Sequence, residues 1–119
     1  MKKQYRVKKS KEIEEILKKH CYSSTPYFTI YINVKNETNH FRYAMSVGKK
    51  IGNAVERNCI KRKVRAIIRN FNVIDGVDIF IIVREKVLKL NFQEMTKELK
   101  YLFNKRNLLV KGETNASIY

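Results

Sequence analysis

The chain has 119 residues, the length of one domain and too short for two full-size cores. Hydrophobic residues make up 44%, too many for a disordered chain, and one Pro with four Gly excludes collagen-like or linker-like sequence. The charge is the unusual quantity: 26 Lys and Arg against 11 Asp and Glu leave +15, an excess that self-repels in a compact fold and points to a polyanionic partner.

Residues 1–9 read as a basic arm carrying Lys2, Lys3, Arg6, Lys8 and Lys9. No apolar stretch follows it as in a secretory signal. The longest purely apolar run, Ile79 to Val83, is five residues, whereas a spanning helix needs about 20. The expectation is a cytoplasmic protein that does not enter a membrane. Cys21 and Cys59 are 38 positions apart with no CxxC spacing, which suits two reduced thiols.

A first helix is expected over residues 11–20, capped by Ser10. Ile13, Ile16 and Leu17 share one face, and Lys18 and Lys19 suit the negative end of the helix dipole. Ser23–Pro26 reads as a turn. Tyr27–Val34 reads as a strand with Phe28, Ile30, Ile32 and Val34 on an apolar face and Tyr27, Thr29, Tyr31 and Asn33 on the other. After a polar turn at Lys35–Asn39, Phe41–Val47 reads as a second strand, and the short link suggests that the two pair antiparallel.

Asn53 with Glu56 forms a capping-box pattern that opens a second helix, running to about Asn70. Asp75-Gly76 is a turn. Asp78–Arg84 is nearly continuous apolar sequence and is expected at the centre of the sheet. Asn91 with Glu94 opens a third helix over about 92–106, with Phe92, Met95, Leu99, Leu102 and Phe103 on one stripe. Residues 111–119 read as a frayed tail. The whole is one α+β domain, a two-layer sandwich of helices on one face of a sheet.

The second helix carries the chemistry. At 100° per residue, Arg57, Asn58, Lys61, Arg62, Arg65 and Arg69 fall within an arc of about 140°. Ile60, Val64, Ile67, Ile68 and Phe71 fall within a neighbouring arc of about 100°. Residues 42–69 hold nine Lys and Arg and one acid, a local net of +8. Solvated faces usually mix signs. Here Lys61, Arg65 and Arg69 repel at i, i+4 spacing, and Glu56 lies on the far side of the wheel. A phosphate backbone offsets such repulsion through counterion release and bidentate guanidinium contacts.

The stretch Ser46–Arg65 (SVGKKIGNAVERNCIKRKVR) resembles the RNR signature of the bacterial ribonuclease P protein component, with Arg57-Asn58, Lys61, Arg62 and Arg65 as its specific part. The resemblance extends through Arg6–Lys9, the first helix, the 27–34 strand, the 78–84 strand and the last helix. It implies a protein that joins a large catalytic RNA and helps remove the 5′ leader from precursor tRNA. The RNA performs the phosphodiester hydrolysis with Mg2+, which it binds in the main, and no obligate protein partner is implied. The implied fold is like that of ribosomal protein S5 domain 2, a mainly antiparallel sheet of three or four strands with a left-handed βαβ crossover at the second helix. A further short strand would lie near Ser46–Lys50.

Carried over by position, the RNA-contact set is Lys49, Lys50, Asn53, Arg57, Asn58, Lys61, Arg62, Arg65 and Arg69. The cleft for the single-stranded leader, between the first helix and the sheet, takes Ile13, Leu17, Phe28 and Tyr31. Ile13 and Leu17 depart from the family, which often has Phe at both places, and aliphatic side chains do not stack on bases as rings do. Strand alternation places Tyr31 in the cleft and Phe28 on the opposite face.

Catalysis by the chain itself finds little support in its residues. His20 and His40 read as surface groups, whereas a protein ribonuclease commonly pairs two imidazoles or an imidazole with a carboxylate. Asp75 and Asp78 read as turn and strand-start residues, Cys59 as a packing residue, and Gly48 and Gly52 lack phosphate-loop spacing. Beside the ribonuclease P subunit stand two alternatives, an RNA-binding module of ribosomal or chaperone type and a protein-only nuclease.

Overall fold

The computed structural model describes residues 10–34 and 40–110, so the basic arm at 1–9, the turn at 35–39 and the tail at 111–119 lie outside the described residues. In chain order the elements are α1 (Ser10–Lys18), β1 (Tyr22–Ser24), β2 (Phe28–Val34), β3 (Arg42–Val47), α2 (Ala54–Arg69), β4 (Val77–Val83) and α3 (Phe92–Lys105). Single 3-10 segments at Lys49–Ile51 and Glu85–Lys89 precede α2 and α3. No helix among the described residues is long and apolar enough to cross a membrane.

The four strands form one sheet in the order β1-β2-β4-β3. β2 runs antiparallel to β4, with Phe28 opposite Val83 and Val34 opposite Val77. β3 runs parallel to β4, from Arg42 opposite Asp78 to Val47 opposite Val83, and α2 connects the two. The expected direct pairing of β2 with β3 is therefore corrected, because β4 lies between them. Val77, Ile79, Ile81 and Val83 are buried on one face while Phe80 and Ile82 are half-buried on the other. A strand apolar on both faces loses most by sitting at an edge, so it takes a central position.

The fourth strand is also corrected. It is Tyr22–Ser24, paired to β2 and read from sequence mostly as turn, while Lys49–Ile51 is a 3-10 turn rather than a strand. Three residues are too few to show alternation. Arg106, which caps the C-terminus of α3, holds this short edge strand. Its Nε donates to Ser23 Oγ at 2.7 Å, and Nη2 donates to the Tyr22 carbonyl.

One sheet face, carrying Phe28, Ile30, Ile32, Tyr43, Ile79, Ile81 and Val83, packs against α2 and α3. From α2 come Ile60, Val64, Ile67 and Ile68, and from α3 Met95, Leu99, Leu102 and Phe103. Phe71 meets Phe103 edge-on at 5.2 Å, a favoured aromatic geometry. Phe92 alone of the expected α3 stripe is exposed, because it stands in the first turn beyond the sheet contact. Both capping boxes form: Asn53 Oδ1 accepts from Glu56 N–H at 2.9 Å, and Asn91 Oδ1 from Glu94 N–H at 2.8 Å.

The opposite face is not bare, which modifies the expected two-layer sandwich. α1 packs there against β2 and β4, burying Ile16 completely apart from the main core. It is two residues shorter than expected at its C-terminal end, Ser10 is its first residue rather than its cap, and His20 turns the chain with φ 51°. The helix is fixed by charge as well as packing. Arg42 donates Nε to Asp78 Oδ1 at 3.0 Å and Nη2 to Oδ2 at 2.8 Å, and the same Nη2 meets Glu12 at 2.5 Å. The Asp78 hydrogen bond, reinforced by Glu12, raises the Arg42 guanidinium above its ordinary pKa.

Candidate nucleic-acid interface

α2 splits along the line its sequence draws. Ile60, Val64, Ile67 and Ile68 are buried; Asn58, Arg62 and Arg69 are exposed; Arg57, Lys61 and Arg65 are half-buried at the border. Among the described residues, none of these five cations makes an ion pair. The cationic flank is thus electrostatically unanswered among the described residues. Arg57 adds a second sign, since its Nε is buried with no hydrogen-bond partner among the described residues. Asn53 is exposed, and its side-chain oxygen is committed to the helix cap.

Lys49 and Lys50 lie in the turn leading into α2, both exposed. Gly52 makes that approach possible. Its φ is 154°, and a β-carbon there would stand 2.6 Å from Glu56 Oε1, the atom that accepts from the Asn53 N–H at 3.0 Å. The two lysines are thereby held beside the helix and also on the rim of a cleft.

That cleft, about 750 Å³ and open to solvent, lies on the α1 face of the sheet. Thr29, Tyr31, Ser46 and Ile82 are among its lining, Tyr22 and Ser24 of β1 contribute to it, and His20, Lys49, Lys50 and Arg84 bring cationic or titratable groups. Arg84 donates to Thr29 Oγ1 at 3.1 Å. The rings of Tyr22 and Tyr31 stand 5.2 Å apart at 30°.

Of the residues assigned to the cleft from sequence, Tyr31 lines it. Ile13 and Leu17 are half-buried on α1 and are not in the lining. Phe28 is a correction: it is fully buried in the main core on the other sheet face, as the two-residue period of a strand requires. Sequence reasoning missed Tyr22, Ser46, Ile82 and Arg84. The β-branched and aromatic alternation of β2 marked its own two faces, but nothing local marked which other strands share them.

Among the described residues no three His, Cys, Asp or Glu side chains are grouped to hold a metal ion. His20 is at the cleft, and His40 Nδ1 lies 3.0 Å from the Phe41 carbonyl oxygen, which accepts from it in the Nδ1–H tautomer. Cys21 and Cys59 are free thiols.

The family model for ribonuclease P matches residues 1–107. The chain belongs to the ribonuclease P protein family. It is similar to the ribonuclease P protein component of Enterococcus faecalis, 39% identical over 111 residues that cover 92% of this chain and 94% of that one. Among solved structures it resembles a Staphylococcus aureus RNase P protein mutant described as defective in mRNA degradation activity. The TM-score is 0.82 at 30% identity, covering 90% of this chain and 92% of that one. The RNase P protein from Thermotoga maritima superposes with a TM-score of 0.75 at 26% identity, covering 84% and 96% of the two chains.

Proposed function

We propose that this ribonuclease P protein binds the catalytic RNA along the cationic flank of α2 and receives the 5′ leader of precursor tRNA in the cleft. The RNA carries out the hydrolysis. The observation that carries this reading is the unanswered charge of Arg57, Lys61, Arg62, Arg65 and Arg69, joined through Lys49 and Lys50 to an open cleft with an aromatic wall. A folded RNA presents phosphates at a spacing that guanidinium groups meet bidentately. Each neutralised phosphate releases condensed counterions, which supplies most of the affinity. A single-stranded leader offers what a duplex does not, unstacked bases with free faces for tyrosine rings.

The division of labour follows from the groups available. The protein supplies positive charge and a stacking surface, both of which bind and orient. Mg2+ belongs to the RNA in this reading, whose phosphates are the hard oxygen ligands that the ion prefers. The complex works in the cytoplasm, with precursor tRNA as substrate and no further protein required.

Reconstitution tests the reading. The chain is mixed with ribonuclease P RNA at low magnesium and leader cleavage is measured, with the protein alone as a control on precursor tRNA and on an mRNA. Stimulation over RNA alone is expected, with no cleavage by the protein alone. Absence of stimulation overturns the proposal, and recovery from cells on ribosomal RNA instead favours the RNA-binding-module alternative.

A further inference from the structure

The α1 positions assigned to the leader are aliphatic, and neither Ile13 nor Leu17 lines the cleft. The cleft nevertheless has a ring that no sequence pattern marked. Tyr22 sits on the edge strand β1, opposite Tyr31 in register, and projects on the cleft side of the sheet. It is 47% exposed, which leaves much of the ring free even though one side meets Tyr31 at 5.2 Å.

A cross-strand tyrosine pair by itself has a plain structural use, since such pairs stabilise a sheet by a few tenths of a kcal/mol to about 1 kcal/mol. Two observations go beyond that. The ring stands in a cleft whose lining also carries Lys49, Lys50 and Arg84 against a single acid, Glu85, so a strand whose phosphates meet those cations can bring its bases to the rings. In addition, the backbone under Tyr22 is held from the other side of the sheet. Arg106 donates to the Tyr22 carbonyl and to the buried Ser23 hydroxyl, a contact spanning 83 positions of sequence at Ser23. A three-residue edge strand is otherwise free to fray, so this grip keeps the aromatic ring in place.

Resting on the function proposed above, we infer that Tyr22 is the residue on which a leader base stacks in this protein, and that Arg106 is its positioning residue. In this reading the stacking ring stands on the edge strand rather than on the first helix. Tyr31 backs Tyr22 as the second ring of the platform.

The test uses the reconstituted holoenzyme and precursor tRNAs whose leaders carry an abasic site at one position in turn, beside mature tRNA without a leader. In the unaltered protein one abasic position weakens binding. Tyr22→Leu, which keeps an apolar body and removes the ring, is expected to weaken binding of the leader-bearing RNA by roughly 5- to 100-fold. It leaves mature tRNA unchanged, and the abasic penalty disappears. Tyr22→Phe retains both affinity and penalty. Arg106→Ala reduces the same penalty, and adding it to Tyr22→Leu costs nothing further. Thermal melting of each variant accompanies the binding.

An abasic penalty that survives in Tyr22→Leu overturns the inference, as does equal weakening for mature tRNA. A penalty lost in Tyr22→Phe also overturns it, because the hydroxyl rather than the ring would then be at work. If the unaltered chain fails to assemble with the catalytic RNA, the functional proposal fails first, which is a separate result.

Discussion

Arg42 and Asp78 face each other across the parallel pair β3–β4, and two hydrogen bonds of 3.0 and 2.8 Å join them where Asp78 is 1% exposed. The same guanidinium meets Glu12. One side chain thus joins α1, β3 and β4 on the face that holds the cleft.

Removing one partner of this pair should be costly. Arg42→Met preserves the stem but leaves a carboxylate buried, and the expected loss is about 3–5 kcal/mol in urea melts. Arg42→Met with Asp78→Leu should recover much of it, because the buried charge then disappears as well. A single variant as stable as the parent would show that solvent reaches Asp78.

Phosphate contact along α2 makes a salt prediction. If six to eight phosphates are neutralised, log K for the catalytic RNA should fall with log salt at a slope of about −5 to −7. Arg62→Ala should flatten it by about one unit, and the same holds for Arg57→Ala. Titrations at four or five salt concentrations measure it, and an unchanged slope places those side chains off the phosphates.

Gly52→Ala should lose the local geometry that holds Lys49 and Lys50 beside the helix. The methyl group displaces Glu56 from the Asn53 N–H, and the backbone there holds φ 154°, which alanine resists, at a combined expected cost of about 1–3 kcal/mol. Thermal melting and RNA affinity should both decline. Glu56→Ala alone should show the smaller loss, because the Asn53 cap to the helix persists.

Phe28 separates packing from contact with the leader. Phe28→Ala should cost about 3–5 kcal/mol of stability. Among the molecules that remain folded, the preference for leader-bearing over leaderless RNA should be unchanged. A selective loss of leader preference would return Phe28 to the cleft.

Much of the candidate site on α2 is legible in the sequence. The helix period separates Ile60, Val64, Ile67 and Ile68 from Arg57, Lys61, Arg62 and Arg65, and the structure keeps that division. The cap at Asn53 was equally visible, since a capping box needs only residues three apart. The cleft was legible in one wall. Alternation in β2 directed Tyr31 away from Phe28, and they do occupy opposite faces. Tyr22 was hidden because Tyr22–Ser24 is too short for a period, and Ser23, Ser24, Thr25 and Pro26 carry turn chemistry.

By itself the sequence determined the helices, the central apolar strand and the one-sided charge of α2, all consequences of local backbone periods acting on side-chain polarity. Tertiary structure alone decided that β4 separates β2 from β3, that α1 crosses to the other face, and that Arg106 reaches β1. Those outcomes depend on which distant surfaces bury the most apolar area and satisfy the most polar groups together. That comparison is made over the whole chain, and no single window of residues contains it.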